Sequence, residues 1–421
     1  MTAVLLALPG VAAAAPGTDG PVNPWLEQRV MNMAHSGGEH EAPMNTMHAF
    51  ERAADLGSDM LELDVQLTAD DELAVIHDAT VDDSTDHTGR VDEYSMDELR
   101  DMDAAHWFVP GRSTVHDDPD ADYPLRGARH GDVEVDGAEP DDFGVPSLTD
   151  VLEEFPDTPV NVEIKGSGTP QSYLDTAEVL GQQLEGSDRD DLIVGSFSDE
   201  ALVRFHELAP DVDMSAGQDA MIAYYLSDVP LPEGVVALQV PITYSGIRVV
   251  TRDFVDRAHG DGYAVHAWFS GSAPDTAESY AEVLDTCVDG LMPARPSVLE
   301  EVLADKGTER PGPGGTQPRE ECAGEAEDPT DPTEPSEPTE PSEPPDPAEP
   351  TDPGPTEPDP GDPAEPADPP EPTDPTQPTR PSEPAGPADP ESPSEELGPT
   401  APERPTVVQT DGWVSDAPAA R

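Results

Sequence analysis

Lysine is almost absent from this chain of 421 residues, which contains only Lys165 and Lys306. Lysine and arginine together number 20 against 91 aspartates and glutamates, and the formal net charge at pH 7 is −71. Without a basic patch the chain cannot neutralise a phosphate backbone, which argues against nucleic acid as a partner. The acidic excess favours a halophilic protein, because concentrated salt screens self-repulsion. An acidic secreted protein from a high-GC genome is the alternative interpretation.

Cysteine and long apolar runs are also scarce. No run is long enough for a helix to cross a bilayer, so we expect no transmembrane segment. The apolar run Val4–Val11 and the alanines after it resemble a secretory signal, although no basic residue precedes them. We therefore expect residues 1–15 to be a signal peptide and the protein to be secreted. In an oxidising compartment Cys287 and Cys322 could form a disulfide, and two free thiols are the alternative.

Aromatic residues make up only 5% of the chain, and the C-terminal part is especially poor in them. Residues 307–421 hold 32 of the 52 prolines and run in Asp-Pro and Glu-Pro triplets. Such a segment cannot bury enough apolar surface to offset its ordering entropy, so we expect a disordered acidic tail. Regular proline and like charges predict an extended spacer, for which contact with a cell wall is one role.

Short β-branched runs alternate with amphipathic stretches over residues 25–306, which indicates one parallel α/β domain. Eight strands at this length favour a (β/α)8 TIM barrel over a doubly wound sheet, since no Gly-rich phosphate loop follows the first strand. The predicted strands are Val30–His35, Met60–Val65, Val160–Lys165, Leu192–Phe197, Val212–Ala216, Val236–Val240, Tyr263–Phe269 and Val288–Met292. Helical patterns cover Thr46–Leu56, Gln171–Leu184, Asp199–Leu208, Arg252–His259, Thr276–Asp285 and Pro296–Leu303. Leu73–His77 follows the second strand too closely for a helix, which predicts a hairpin extension.

Three carboxylates fall near the carboxyl ends of neighbouring strands, where barrel enzymes place their active sites. Glu62 and Asp64 alternate with apolar residues, so both side chains point to the same side of the second strand. Glu163 arrives from the next barrel strand. A Glu-x-Asp pair alone is usually a solvated face, but three hard oxygen ligands together suit Ca²⁺ or Mg²⁺ rather than zinc.

Two histidines and one of the two lysines lie at the ends of the same elements. His35 ends the first predicted strand, His77 ends the hairpin, and Lys165 ends the strand that carries Glu163. A single histidine at a strand end is more often structural than catalytic. Their combination with three acids predicts one catalytic site.

In this order and spacing, the residues resemble the glycerophosphodiester phosphodiesterase family over about residues 29–305. The matching motifs are Ala34-His35, Glu62-Leu63-Asp64, Val75-Ile76-His77-Asp78 and Val162-Glu163-Ile164-Lys165, supported by Asn45-Thr46 and Ser196-Phe197. The resemblance implies a (β/α)8 barrel. It also implies metal-assisted hydrolysis of glycerophosphodiesters, small anionic substrates, to glycerol 3-phosphate and an alcohol.

The resemblance also implies roles for the strand-end residues. The three acids would hold the divalent cation, Ca²⁺ or Mg²⁺. His35 and His77 would serve as general acid and general base, in an order that the sequence leaves open. Lys165 would place a fixed positive charge at the phosphate. Trp268, at a later strand end, would form a wall for glycerol or a choline-like group, with core packing as the alternative.

The chain departs from the family pattern close to the first histidine. Ser36 stands where the family usually has arginine, and Met44 stands where the Pro-x-Asn-Thr motif usually has glutamate. The joint loss suggests a remodelled site, in which Ser36 is expected to contact the substrate. Candidates to replace the acid or to approach the phosphate lie nearby: Glu39, Glu41, His40 and Arg112.

The segment 104–145 and the overall function each have more than one interpretation. Residues 104–145 concentrate aromatic and basic side chains, which fits either a lid over the substrate or a surface insertion packed on itself. The leading function also has alternatives. A related phosphodiesterase or lyase could act on teichoic acid or a lysophospholipid, and a catalytically impaired barrel could serve as a surface-binding module.

Overall fold

The computed structural model describes residues 23–308, apart from 27–29, Thr114 and 270–273. The predicted signal peptide, Cys322 and the tail beyond Thr308 lie outside the described residues and stay predictions. Cys287, the other half of the predicted disulfide, is buried. Among the described residues, no helix combines the length and the apolar character needed to cross a membrane.

Eight parallel strands close into a barrel, which confirms the predicted (β/α)8 fold. Around the barrel the order is β1, β2, β4, β5, β6, β7, β10 and β11, and β11 pairs with β1 again. The strands are β1 (Met31–Ala34), β2 (Met60–Leu67), β3 (Leu73–Val75), β4 (Val160–Ile164), β5 (Leu192–Gly195), β6 (Asp213–Ser215), β7 (Val235–Pro241), β8 (Thr243–Tyr244), β9 (Ile247–Arg248), β10 (Ala264–Trp268) and β11 (Gly290–Met292). β3 pairs antiparallel with β2, so the hairpin extension is also confirmed.

Helices cover the outside of the barrel, and several of them begin at a Ser or Thr cap. Thr46, Ser147 and Thr251, for example, each accept a hydrogen bond from the backbone N–H three residues later. The helices are α1 (Met47–Leu56), α2 (Met96–Arg100), α3 (Leu148–Glu154), α4 (Pro170–Leu184), α5 (Asp199–Leu208), α6 (Gln218–Ser227), α7 (Arg252–Gly260), α8 (Ala277–Leu284) and α9 (Pro296–Asp305).

The end of the barrel opposite the carboxyl ends of the strands is filled by side chains. Trp25 is 2% exposed, and its indole N–H donates to Asp213 over 2.7 Å. Its ring packs edge-on against His266, at 6.5 Å between ring centres. Burial lowers the pKa of His266 to about 4, so this histidine is neutral inside the barrel. This environment indicates a structural role for His266.

Candidate active site

The three predicted metal ligands come together at the carboxyl ends of β2 and β4. Asp64 lies beside Glu163 in the parallel register of the two strands. One carboxylate oxygen of Glu62, Asp64 and Glu163 lies within 4.8 Å of the corresponding oxygens of the other two, so the cluster could hold a metal ion. Glu62 and Asp64 are only 2% and 1% exposed. Two buried acids at this distance need a compensating positive charge.

The surrounding protein stabilises the negative charge of Asp64 more than that of Glu62. The pKa of Glu62 is raised to about 7, mainly by burial; the charge of His35 opposes the rise, and the charges of Asp64 and Glu163 contribute to it. Burial also acts to raise the pKa of Asp64, but Lys165 and the two histidines overcome it and hold the pKa well below its usual range. Of Glu62 and Asp64, Asp64 is therefore the carboxylate that the surrounding protein keeps ionised.

Lys165 supplies the positive charge nearest to the cluster. Its ammonium lies 2.7 Å from Glu163 Oε1 and 3.2 Å from Asp64 Oδ1. Burial acts to lower the pKa of Lys165, but these two carboxylates raise it well above its usual range. In the described part of the chain, the ammonium of Lys165 is the polar partner of the buried oxygens Asp64 Oδ1 and Glu163 Oε1. The two buried oxygens fit a hard divalent cation as further partner.

Behind His35 the backbone turns sharply, and this turn brings Ser36 under the acids. Ser36, Gly37 and Gly38 have φ angles of 47°, 79° and 94°, all in the left-handed region. The backbone N–H of Ser36 donates to Glu62 over 2.7 Å, and its hydroxyl donates to Asp64 over 3.2 Å. Ser36 is 1% exposed and engaged with two metal-ligand candidates, and its contact with a substrate stays a prediction.

Gly37 is required by this turn, and its replacement is expected to destabilise the fold. A Cβ at position 37 would lie 2.7 Å from Cβ of Ala49, and the positive φ adds strain. We expect Gly37→Ala to lower the free energy of unfolding by roughly 2–4 kcal/mol in urea titrations. Gly131→Ala is the control, because Gly131 also has a positive φ but a Cβ there meets nothing within 4 Å. An equal loss in both variants would contradict the steric argument.

His77 lies two residues after the end of β3. Its carbonyl accepts a hydrogen bond from Gln66, and its Nδ1 lies 2.9 Å from Asp78 Oδ1. Lys165 and burial act to lower the pKa of His77, but Asp64 and Asp78 outweigh them and raise it. The imidazole is 43% exposed, so it faces the solvent-accessible side of the cluster.

Trp268 lies at the end of β10, on the wall formed by later strands. Its ring packs edge-on against Phe197, with 6.2 Å between ring centres. Phe197 in turn lies under the ammonium of Lys165, 5.8 Å from its ring centre. Trp268 therefore borders the site through Phe197, and its predicted contact with glycerol or a choline-like group stays a prediction.

The residues near His35 that could replace the missing acid or approach the phosphate have different partners in the structure. Glu39 lies 2.8 Å from His35, whereas Glu41 pairs with Arg52 over 2.6 Å. His40 Nε2 lies 2.7 Å from the hydroxyl of Ser113, away from the three acids. Of the two acids, only Glu39 therefore joins the site.

The segment 104–145 packs on itself and also borders the site. The guanidinium of Arg126 lies 4.6 Å from the ring centre of Trp107 and 4.0 Å from that of Tyr123. This cluster fits the self-packed insertion. One edge of the segment nevertheless lines a cleft together with Glu39 and Met44. Arg112 also borders this cleft, 3.4 Å from Asp118. The lid stays a prediction.

Sequence reasoning passed over two residues of the site. Asn45 donates to Asp64 over 2.9 Å, and it belongs to the Asn45-Thr46 motif that supported the family resemblance. Phe197, the second residue of the Ser196-Phe197 motif, lies between Lys165 and Trp268. The signal was thus present in both motifs, but the individual roles required the three-dimensional contacts.

Comparison with known proteins agrees with this geometry. The profile described as "Glycerophosphoryl diester phosphodiesterase family" matches residues 35–297. A glycerophosphodiester phosphodiesterase of Bacillus altitudinis is 33% identical over 186 residues, which are 43% of this chain and 64% of that protein. Glycerophosphodiester phosphodiesterase 2 of Mycobacterium tuberculosis, named as probable, is 28% identical over 286 residues, or 65% and 91% of the two chains.

The match differs in extent between relatives. The chain spans 62% and 64% of the length of the first two curated relatives it matches. A solved structure from Silicibacter pomeroyi, 20% identical, superposes with a TM-score of 0.51 over 68% of this chain and 96% of that one, which supports the fold. The family profile covers more than half of the chain and includes the histidines, acids and lysine described above. The chain therefore belongs to the glycerophosphoryl diester phosphodiesterase family.

Proposed function

We propose that this chain hydrolyses glycerophosphodiesters to glycerol 3-phosphate and an alcohol. The observation that carries the proposal is that three carboxylates and Lys165 form one cluster, with His35 and His77 near enough for their charges to act on Asp64. Family membership, established over the same residues, points to the same reaction.

The proposal includes a divalent cation, Ca²⁺ or Mg²⁺, held by Glu62, Asp64 and Glu163. The donor set consists of carboxylate oxygens, two of which are buried with the ammonium of Lys165 as their polar partner in the described part of the chain, and hard cations prefer such donors. When bound, the cation would neutralise phosphate oxygens and the charge that develops on them. Ser36 and Asn45 would keep Asp64 in place through the hydrogen bonds described above.

The reaction itself would be a proton transfer coupled to displacement at phosphorus. One of His35 and His77 takes a proton from the attacking water, and the new bond forms between this oxygen and phosphorus. The bond between phosphorus and the alcohol oxygen breaks, and the other histidine donates the proton that this oxygen needs. Lys165 holds a phosphate oxygen by its fixed charge. Trp268 forms the wall against which glycerol or the alcohol packs.

We also infer that the protein works outside the cell and in salt. The support lies in the signal-like residues 1–15 and in the net charge of −71 with only two lysines. Concentrated salt would screen the repulsion between this acidic protein and its anionic substrate. Cell-wall contact through the tail belongs to the same proposal.

The test is a product assay on the purified chain. Glycerophosphocholine, glycerophosphoglycerol and a lysophospholipid are incubated with Ca²⁺, Mg²⁺ or a chelator, each at low and molar salt. We expect glycerol 3-phosphate from the glycerophosphodiesters, and we expect the chelator to abolish its release. A cyclic phosphate as end product would replace hydrolysis by the lyase reaction. No turnover under any condition would refute the proposal in favour of a binding module.

A further inference from the structure

Glu39 contacts the candidate catalytic residue His35. His35 Nδ1 lies 2.8 Å from Glu39 Oε2, and Glu39 is 9% exposed. We propose that Glu39 is a positioning residue, which holds the His35 imidazole in one orientation and one tautomer. The proposal rests on the function proposed above, in which His35 transfers a proton.

The backbone between the two residues explains how they meet. The left-handed residues 36–38 fold the chain back on itself, and Gly38 N–H donates to the carbonyl of His35. Pro296 packs closely against the outside of this turn. A Cβ at Gly38 would lie only 2.7 Å from Cδ of Pro296. His40 N–H donates to the carbonyl of Ala294 over 3.1 Å. Glu39 therefore faces His35 on a segment fixed against α9.

The chemistry of the contact decides which ring nitrogen carries the proton. Burial acts to raise the pKa of Glu39, but His35 overcomes it and lowers the pKa, so the group is a carboxylate. A carboxylate only accepts hydrogen bonds, so Nδ1 of His35 must donate. In the neutral ring, Nε2 is then the nitrogen with the free lone pair, available for proton transfer.

Glu41 shows that this placement is specific to Glu39. It lies two residues further along, but its carboxylate pairs with Arg52 and accepts from the hydroxyl of Ser297. These contacts join the loop to α1 and α9 and do not involve His35. Glu41 is therefore a matched control, an acid on the same loop with no contact to the catalytic candidate.

The kinetic test compares three variants with the wild-type chain on glycerophosphocholine and a divalent cation. Glu39→Leu removes the acceptor and is expected to lower kcat by about 10–100-fold, with KM changed less than about threefold. Glu39→Gln keeps a carbonyl acceptor and should retain more of the rate. Glu41→Gln should leave kcat unchanged. Unchanged kcat in Glu39→Leu, or a rate in Glu39→Gln no better than in Glu39→Leu, would overturn the proposal.

Two further measurements separate positioning from a purely structural effect. In a His35→Ala background, Glu39→Leu should cost no further activity; an equally large loss there would overturn the proposal. Nitrogen NMR of the His35 ring, identified by its absence in His35→Ala, should show the Nδ1–H tautomer when the ring is neutral. An Nε2–H tautomer in the wild-type chain would refute the proposal even if the variants fail to fold. Loss of the proposed function would instead appear as an inactive wild-type chain with the Nδ1–H tautomer intact.

Discussion

Replacing Asp64 by asparagine is expected to lower kcat/KM for glycerophosphodiester hydrolysis by about three orders of magnitude. The pKa of Asp64 is held well below its usual range, and this acid contacts Ser36, Asn45 and Lys165. An amide removes one negative charge from the proposed cation site and leaves the ammonium of Lys165 facing Glu163 alone. Steady-state kinetics at several Ca²⁺ and Mg²⁺ concentrations measure the effect.

A matched control and a binding measurement make this result interpretable. Asp97→Asn is the same change on α2, where the side chain is 98% exposed, and it should leave kcat/KM within twofold. Titration calorimetry should show weaker cation binding for Asp64→Asn and not for Asp97→Asn. Cation binding and turnover close to wild type in Asp64→Asn would contradict the assignment of Asp64 as a ligand.

The second large effect is expected for His77. We expect His77→Ala to lower kcat by about 10²–10⁴-fold, because a positioned proton donor or acceptor contributes a rate factor of this size. Comparison of an alkyl alcohol with p-nitrophenol as leaving group would assign its role. If His77 protonates the leaving oxygen, the loss should be much smaller for p-nitrophenol, which leaves without a proton. A loss equal for both leaving groups would assign His77 as the base.

His87→Ala is the control for this variant. His87 is also partly exposed and also hydrogen-bonds to a neighbouring aspartate, Asp86, over 2.8 Å. It therefore reproduces the local His–Asp arrangement of His77 without the cluster of acids. Near-normal kcat is expected for His87→Ala. Near-normal kcat for His77→Ala would refute its catalytic assignment.

Most of the barrel could be predicted because its strands are short, apolar and separated by amphipathic helices. The missed elements had weak sequence signals. Two of the missed helices, α2 and α3, have only five and seven residues, and the third, α6, carries apolar residues around its whole circumference. In α6, Tyr224 is buried while Leu226 is 70% exposed, so the sequence shows no clear stripe. The hairpin of β8 and β9 consists of two residues a side, below what a strand pattern can reveal.

The site was predictable in its members and less so in its contacts. Strand alternation places Glu62 and Asp64 on one face, and parallel pairing brings Glu163 beside them. The partners of Glu39 and Glu41, in contrast, depend on the left-handed turn at 36–38. The sequence motif around His35 does not indicate that Ser36 adopts a left-handed backbone conformation. Because of this conformation the backbone N–H of Ser36 donates to Glu62, a contact that only the three-dimensional structure reveals.

The packing of Trp25 at the base of the barrel has a consequence for how ligands reach and leave the candidate site. With Trp25 and His266 packed at that end, a ligand can reach the three carboxylates of the described barrel from the opposite face, at the carboxyl ends of the strands. The proposed substrate, water and products would then enter and leave at the same face of the barrel, where the three carboxylates lie. Under the proposed hydrolysis, we expect the alcohol to leave before glycerol 3-phosphate, because the product that keeps the phosphate stays at the three carboxylates, and we expect glycerol 3-phosphate to inhibit the reaction competitively.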